Sequence, residues 1–224
     1  MTTVHDHRAI TSLAGGMLTR FPDTPHASIG SYFDAYAAEA ARAASSIEPE
    51  ALDRAAAILL AAYTGGAQVF CCGNGGSAAI ANHLQCDHLK GIRTATDLTP
   101  RVVSLSASVE LLTAIANDVA FEDVFAYQLQ SQAGRGDVLI AVSSSGRSLN
   151  ILRALTWARD HDLRTIALTG FDGGHARDLA DVSVHVAGAN YGIVEDLHQA
   201  VMHALAQYIR QSRMTPEAIM ASVF

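Results

Sequence analysis

Short apolar runs alternate with amphipathic stretches along most of this 224-residue chain. Each run is about five residues long, rich in Val, Ile and Leu, and bounded by polar residues, a pattern typical of buried strands. Such strands are predicted at Gln68–Cys72, Arg101–Leu105, Val138–Ser143, Thr165–Thr169 and Val182–Val186.

Between these runs, apolar residues recur with the period of an α-helix. Helices are predicted at Ser77–Lys90, Ser108–Ala116, Phe121–Gln132, Ser148–His161 and Gly192–Arg210. Strands that alternate with helices predict an α/β fold, in which a five-stranded parallel sheet is flanked by helices and its crossovers are right-handed.

Two more helices are predicted before the sheet, at Ser28–Ser46 and Pro49–Tyr63. The first is rich in alanine, and its small side chains suggest that it packs against another subunit. We expect residues 1–26 to form a flexible arm, residues 27–213 a single domain with these N-terminal helices, and residues 214–224 a C-terminal tail.

Composition excludes several classes of function. The net charge of −7 and the lack of a basic cluster argue against nucleic acid as a partner. No apolar run reaches the ~18 residues that span a membrane, and the first residues do not resemble a signal peptide. Cys71 and Cys72 are adjacent in a predicted buried strand, which suggests free thiols in a reducing cytoplasm.

Two polar turns follow predicted strands. The glycine loop, Gly73–Ser77, reads Gly-Asn-Gly-Gly-Ser, and the serine loop, Ser143–Ser148, reads Ser-Ser-Ser-Gly-Arg-Ser. Glycine backbones, hydroxyl groups and the start of a helix are all suited to bind an anion. Because both loops fall at the carboxyl ends of parallel strands, they predict a site for a phosphorylated small molecule.

Histidines and carboxylates recur on two predicted helices. His83 and Asp87 are four residues apart, on one helix face, and the last helix contributes Glu195, His198 and His203. This donor set predicts a divalent metal site, with zinc as the first candidate.

Glu195 and His203, however, are separated by ~12 Å of rise and 80° of rotation in a regular helix. Both can serve one ion only if the helix is distorted or if two subunits contribute; otherwise one of them serves the substrate. His198 is kept as a substitute ligand or proton donor.

Together these motifs resemble the phosphoheptose isomerases, members of the sugar isomerase (SIS) domain superfamily that convert sedoheptulose 7-phosphate to a heptose 7-phosphate. The resemblance covers about residues 30 to 210. Besides the two loops, it rests on Asn117-Asp118, Leu168–Gly174 and the segment from Glu195 to His203. It implies a flavodoxin-like three-layer sandwich and a homotetrameric, cytoplasmic enzyme of carbohydrate metabolism.

The resemblance also implies roles for individual residues. It assigns substrate binding to parts of both loops, to a sugar-contacting pair and to a lysine where the family has arginine: Asn74, Gly75, Gly76, Ser77, Asn117, Asp118, Ser143, Ser144, Ser145, Ser148 and Lys90.

The metal positions depart from the family at two places. His83 and Asp87 stand where the family has metal-binding His and Glu, and Glu195 and His203 stand where it has Gln and His. Asp87 is shorter than Glu by one methylene, ~1.5 Å, and Glu195 adds a charge that Gln would not.

An aldose–ketose isomerisation through an enediolate needs a base, an acid and a group that stabilises charge on oxygen. Asp87 or Glu195 is the candidate base, and His203 the candidate acid–base partner. No nucleotide, nicotinamide or flavin is expected, since the glycine loop lacks the G-x-G-x-x-G spacing. The alternatives are a non-catalytic SIS module that binds or senses a sugar phosphate, and an isomerase of another ketose or amino-sugar phosphate.

Overall fold

The computed structural model describes residues 20–224, so residues 1–19 of the predicted arm lie outside the described residues. The strands are β1 (Gln68–Gly73), β2 (Arg101–Ser104), β3 (Val138–Ser143), β4 (Arg164–Thr169) and β5 (Val182–His185). The α-helices are α1 (Ile29–Ala44), α2 (Pro49–Gly65), α3 (Gly76–Cys86), α4 (Val109–Asp118), α5 (Ala126–Gln132), α6 (Leu149–Asp160), α7 (Gly174–Leu179), α8 (Tyr191–Gln211) and α9 (Pro216–Met220).

All five predicted strands are confirmed and form one parallel sheet in the order β2-β1-β3-β4-β5. From β1 the chain first adds β2 on one side and then β3 on the other. This reversal creates a crevice beyond the carboxyl ends of β1 and β3, where ligands bind in open sheets of this kind. The glycine loop follows β1 and the serine loop follows β3, so both reach this crevice.

Apolar layers cover both faces of the sheet. On β3, Val138, Ile140 and Val142 pack into the layer formed with α2, α3 and α8. The intervening Leu139 and Ala141 pack into the opposite layer with α5 and α6. Because both faces of the strand are buried, its sequence is a continuous apolar run instead of an alternating one.

The helix predicted at Ser77–Lys90 has an irregular end. The α-helical part ends at Cys86, and the chain continues as a π-helical turn, Asp87–Ile92. Inside this turn His88 is buried, and its Nδ1 hydrogen-bonds the hydroxyl of Tyr63 on α2. The buried ring fixes the turn to the core, a packing constraint that periodicity alone does not reveal.

Three other helical segments differ from the predictions. The segment Phe121–Gln132 divides into a 3₁₀ turn, Phe121–Asp123, and α5. The short helix α7 was not predicted. Nor was α9, although Thr215 caps it by accepting a hydrogen bond from the Ala218 N–H and Pro216 begins it, a recognisable start signal.

The N-terminal helices are confirmed, and α1 is held to α8. Within the predicted arm, the carbonyl of Phe21 accepts a hydrogen bond from Asn190 Nδ2 at 3.0 Å. On the outer face of α1, Ile29 and Phe33 are 82% and 65% exposed.

Within residues 20–224, no helix is both long and apolar enough to cross a membrane.

Candidate active site

The glycine loop turns sharply between β1 and α3. A Cβ on Gly73 would stand 2.4 Å from the carbonyl oxygen of Ser77, and Gly75 has a positive φ of 54°. The side chain of Ser106 fixes Gly73, since its oxygen accepts from the Gly73 N–H at 3.0 Å and its hydroxyl donates to the Gly73 carbonyl at 2.8 Å. The sequence therefore needs glycine here to make the turn.

The serine loop packs against the segment Leu168–Gly174, which includes the end of β4 and the turn after it. The N–H of Gly170 donates to the Ser144 carbonyl at 2.9 Å. Gly146 has a φ of 62°, and a Cβ there would stand 1.8 Å from the Gly173 carbonyl oxygen. The glycines of this segment thus allow two loops to pack backbone against backbone, and this contact shapes the serine loop.

The two loops and the start of α8 enclose a cavity of about 150 Å³. It is lined by Asn74, Ser77, Val142, Ser143, Ser144, Ser145, Ser148, Tyr191 and Glu195. The hydroxyl of Ser144 is buried without a hydrogen-bond partner in the described structure. A buried hydroxyl usually has a partner, so its position favours a polar ligand in the cavity.

A larger hollow of about 680 Å³ lies elsewhere, beside Trp157 and Arg135. These residues follow α5 or lie near the end of α6, at the amino edge of the sheet. Because ligands of parallel sheets bind at the carboxyl edge, the smaller cavity is the better candidate.

Glu195 lies in this cavity and not beside the other acidic and histidine groups. Tyr191 and Glu195 are four residues apart on α8 and face the loops together. Burial raises the pKa of Glu195, and the charge of Asp196 raises it further. Asp196 itself accepts a 2.6 Å hydrogen bond from the hydroxyl of Tyr36 on α1, which holds its carboxylate in place.

A second cluster combines His83, Asp87 and His203. His83 Nε2 is 3.3 Å from Asp87 Oδ1, and His203 Nε2 is 3.5 Å from Asp87 Oδ2. One ligand atom from each residue lies within 4.8 Å of the others, so the three could hold a metal ion. The amide of Gln199, which the sequence analysis missed, contacts both imidazoles at 3.2 and 2.9 Å. Its position four residues before His203 was the available signal.

Glu195 is not part of this cluster, so one chain does not assemble the predicted four ligands. The helix α8 is continuous from Tyr191 to Gln211, and eight residues of regular helix separate Glu195 and His203 by ~12 Å. No break interrupts α8, and Glu195 lies in the cavity between the two loops. The contribution of a second subunit stays a prediction.

His198 does not replace Glu195 as a ligand. It is fully buried, and neither ring nitrogen has a hydrogen-bond partner with normal geometry, although the Thr169 backbone is near enough to favour the charged ring slightly. Five helical positions turn it by 140° from His203, away from the cluster. Burial lowers the pKa of His198 to about 4, so the ring is neutral near pH 7.

Five predicted substrate residues do not line the cavity of their own chain. Gly75 and Gly76 belong to the glycine loop beside it, and the other three lie farther along the chain. Asn117 and Asp118 are exposed at the end of α4, where Asn117 Nδ2 donates to Asp118 Oδ1 at 2.7 Å. Lys90 is exposed in the π-helical turn. Their roles in substrate binding stay predictions.

Two polar residues at or behind the cavity wall were missed. Tyr191 packs its ring against Phe171 at a centroid distance of 4.7 Å, and its spacing from Glu195 could have revealed it. Asn150 lies behind the cavity wall, where it pairs with Asn74. No local pattern indicates this second contact, because it joins two loops that are distant in sequence.

Comparison with known proteins agrees with this geometry. Residues 31–170 match the family model of the SIS domain. A phosphoheptose isomerase from Colwellia psychrerythraea is 35% identical over 170 residues, which cover 75% of this chain and 86% of that protein. Another, from Mycobacterium bovis, is 36% identical over 167 residues, covering 70% and 80%.

A solved structure is also similar. Phosphoheptose isomerase GmhA from Neisseria gonorrhoeae superposes with a TM-score of 0.75 at 32% identity, covering 82% of this chain and 100% of that one. The family match and the sequence identity over most of each relative agree with the order of the motifs along the chain. This chain therefore belongs to the phosphoheptose isomerase family of SIS domain proteins.

Proposed function

We propose that this protein is an aldose–ketose isomerase that converts sedoheptulose 7-phosphate to a D-glycero-heptose 7-phosphate through an enediolate. Its family membership supports the class of reaction. One observation carries the proposal: a partly buried carboxylate, Glu195, lines the same cavity as the serine loop. A phosphate anchor and a base thus face one small molecule.

The serine loop binds the phosphate. Its hydroxyls and the first N–H groups of α6 satisfy the phosphate oxygens, as helix starts do for anions generally. Among the described residues, none that line the cavity is cationic, and Arg147 is held outside it by a two-bond ion pair with Asp172. Binding energy from this distant end of the sugar positions the reacting carbons.

Glu195 is the base. Its carboxylate takes a proton from C1 of the ketose and returns it to C2, while a second group passes a proton between the two sugar oxygens. The raised pKa of Glu195 makes it a stronger base than an exposed carboxylate. Because His203 is ~12 Å away along its own helix, a His203 that acts at the same sugar belongs to another subunit.

His83, Asp87 and His203 would hold a divalent ion, and zinc suits them best. Two imidazoles and one carboxylate form a common three-ligand set for catalytic zinc, and their mutual distances fit it. Such an ion, when bound, polarises a sugar oxygen as a Lewis acid.

A homotetramer with sites lined by more than one chain fits the exposed residues. Ile29 and Phe33 present an apolar face on α1 that a second copy would cover. The positions of Asn117, Asp118 and Lys90 outside their own cavity agree with contributions to a neighbour's site. Cys71 and Cys72 are buried free thiols, which agree with a cytoplasmic location.

The direct test is incubation with sedoheptulose 7-phosphate, followed by NMR for the anomeric signal of an aldose. We expect turnover by the wild type and its loss in Glu195→Gln, which has the same shape without a basic carboxylate. Binding without turnover would indicate a sugar-phosphate sensor. Turnover of an amino-sugar or another ketose phosphate instead would keep the mechanism and correct the substrate.

A further inference from the structure

The side chains of Asn74 and Asn150 form a reciprocal pair between the two loops. Asn74 Nδ2 donates to Asn150 Oδ1, and Asn150 Nδ2 donates to Asn74 Oδ1, each at 2.9 Å. Asn74 belongs to the glycine loop after β1, and Asn150 is the second residue of α6, directly after the serine loop. The pair therefore ties the two halves of the cavity together.

The backbone fixes the orientation of this pair. Asn150 Oδ1 also accepts a hydrogen bond from the Ile151 N–H at 2.9 Å. An N–H can face only an acceptor, so the oxygen of Asn150 must point to this side and its amide nitrogen to the other. The Asn74 amide must then turn its nitrogen toward Oδ1 and its oxygen toward Nδ2 of Asn150.

The orientation of Asn74 matters because Asn74 lines the cavity. The pair uses one of its two N–H groups and one of the two lone pairs on its oxygen. The remaining N–H and lone pair are available to a sugar hydroxyl. Asn150 does not line the cavity and is only 1% exposed, so it has no contact with a ligand of its own.

We propose that Asn150 is a positioning residue for the isomerase: it holds the Asn74 amide in the one orientation that binds the sugar while the phosphate occupies the serine loop. This inference rests on the proposed function. It goes beyond that function by adding a buried residue that acts only through Asn74 and that links phosphate binding to sugar binding.

The test is a double-mutant cycle with Asn150→Ala, Asn74→Ala and the double variant, assayed with sedoheptulose 7-phosphate. A lost hydrogen bond of ordinary strength gives a fall in kcat/KM of roughly tenfold. We expect each single variant to lose this much, with the same division between kcat and KM. The double variant should be no worse than Asn74→Ala, because Asn150 has no effect without Asn74.

A control separates this role from stability alone. Thr165 is 1% exposed, and its hydroxyl makes two hydrogen bonds with Asp181 at the amino edge of the sheet. Thr165→Val should lower the Tm without changing KM. Losses in kcat/KM that add fully in the double variant, or an Asn150→Ala enzyme with wild-type KM and kcat, would overturn the proposal.

A second variant and a second measurement distinguish failure of the positioning role from misfolding and from failure of the proposed function. Should Asn150→Ala fail to fold, Asn150→Ser keeps an acceptor for the Ile151 N–H but is too short for Asn74, and the same kinetics are expected. Hydrogen exchange of the Asn74 side-chain amide, followed by NMR, needs no turnover. If the wild type is inactive, the proposed function fails, whereas unchanged exchange in the Asn150 variant contradicts the positioning role itself.

Discussion

The Glu195 carboxylate lies directly against the backbone of Gly76, so that a Cβ added at position 76 would stand 2.2 Å from Glu195 Oε2. Gly76 is the first residue of α3, and no side chain other than hydrogen leaves room for the carboxylate there. This contact explains why the glycine loop needs a third glycine, since its φ is not positive. The loop thus places the proposed base as well as forming a turn.

Gly76→Ala tests this contact. The new methyl group should push the Glu195 side chain aside, because its end is the flexible part, and leave the fold intact. We expect kcat/KM to fall at least tenfold with little change in Tm. Gly65→Ala is the matched control, since a Cβ there meets nothing within 4 Å. An active Gly76→Ala enzyme would contradict the role of Glu195.

Ser144 offers a test of phosphate binding that does not disturb the loop. Its hydroxyl has no partner in the described structure, so Ser144→Ala should keep the Tm. It should nevertheless weaken productive substrate binding by ~1.5–3 kcal/mol, the contribution of a hydrogen bond to a charged group. Steady-state kinetics would show this as a fall in kcat/KM. Ser212→Ala, at the end of α8, is the control. Equal kinetics in both variants would contradict the proposal that the serine loop binds the phosphate.

The acid limb of the pH–rate profile reports on Glu195. A base must be ionised, so kcat/KM falls as the pH drops through its pKa, which burial and Asp196 raise above the ordinary 4.5. Asp196→Asn removes the neighbouring charge and should shift this limb to lower pH. Glu217→Gln on α9 removes a charge at a distance and should leave the limb in place. If the acid limb of Asp196→Asn lies at the same pH as that of the wild type, a group other than Glu195 is responsible for it.

Metal content tests the cluster independently of turnover. We expect protein purified without chelator to hold about one divalent ion per chain, and His83→Ala to lower metal content and turnover together. His203→Ala should also reduce turnover more than substrate affinity if the ring moves a proton. His161→Ala, at the end of α6, is the control. Full activity of metal-free enzyme in a strong chelator would overturn the zinc proposal.

The buried His198 predicts loss of stability in acid. Burial lowers its pKa from the ordinary 6.5 to about 4, and that of the neighbouring His185, which faces Arg177 and Asp172, also to about 4. Between these values the unfolded chain binds protons that the folded chain does not. The free energy of unfolding should therefore be constant above pH 6.5 and fall by about 3 kcal/mol for His198 as the pH drops to 4.

Two histidine variants, followed by urea unfolding, separate this effect from packing. His198→Leu removes a ring whose nitrogens have no hydrogen-bond partner with normal geometry, so it should reduce the pH dependence with little loss at pH 7. His185 and His88, whose pKa values burial also lowers, should account for the rest. His88→Leu leaves the buried Tyr63 hydroxyl without its partner and should destabilise the protein at pH 7 as well. An unchanged slope in His198→Leu would show that this ring does not remain neutral in the folded protein.

The fold and most of the cavity could be predicted from the sequence. Buried parallel strands are short apolar runs, and the residues after them must reach one edge of the sheet, so the glycine and serine loops were expected to meet. The periodicity of α8 also showed in advance that Glu195 and His203 are too far apart to bind one ion from the same straight helix. These features depend on local geometry, which the order of residues specifies directly.

Other features depended on contacts between distant segments. The place of Glu195 in the cavity depends on the packing of α8 against the glycine loop, where Gly76 leaves room for its carboxylate. Asn150 meets Asn74 only because α6 lies beside the glycine loop. His198 and Gln199 are adjacent on α8, yet one is buried without partners and the other lies between two imidazoles. Sequence spacing fixes the angle between two side chains on a helix. Only the packing of the helices decides which side chain faces the core and which faces the cavity or the histidine cluster.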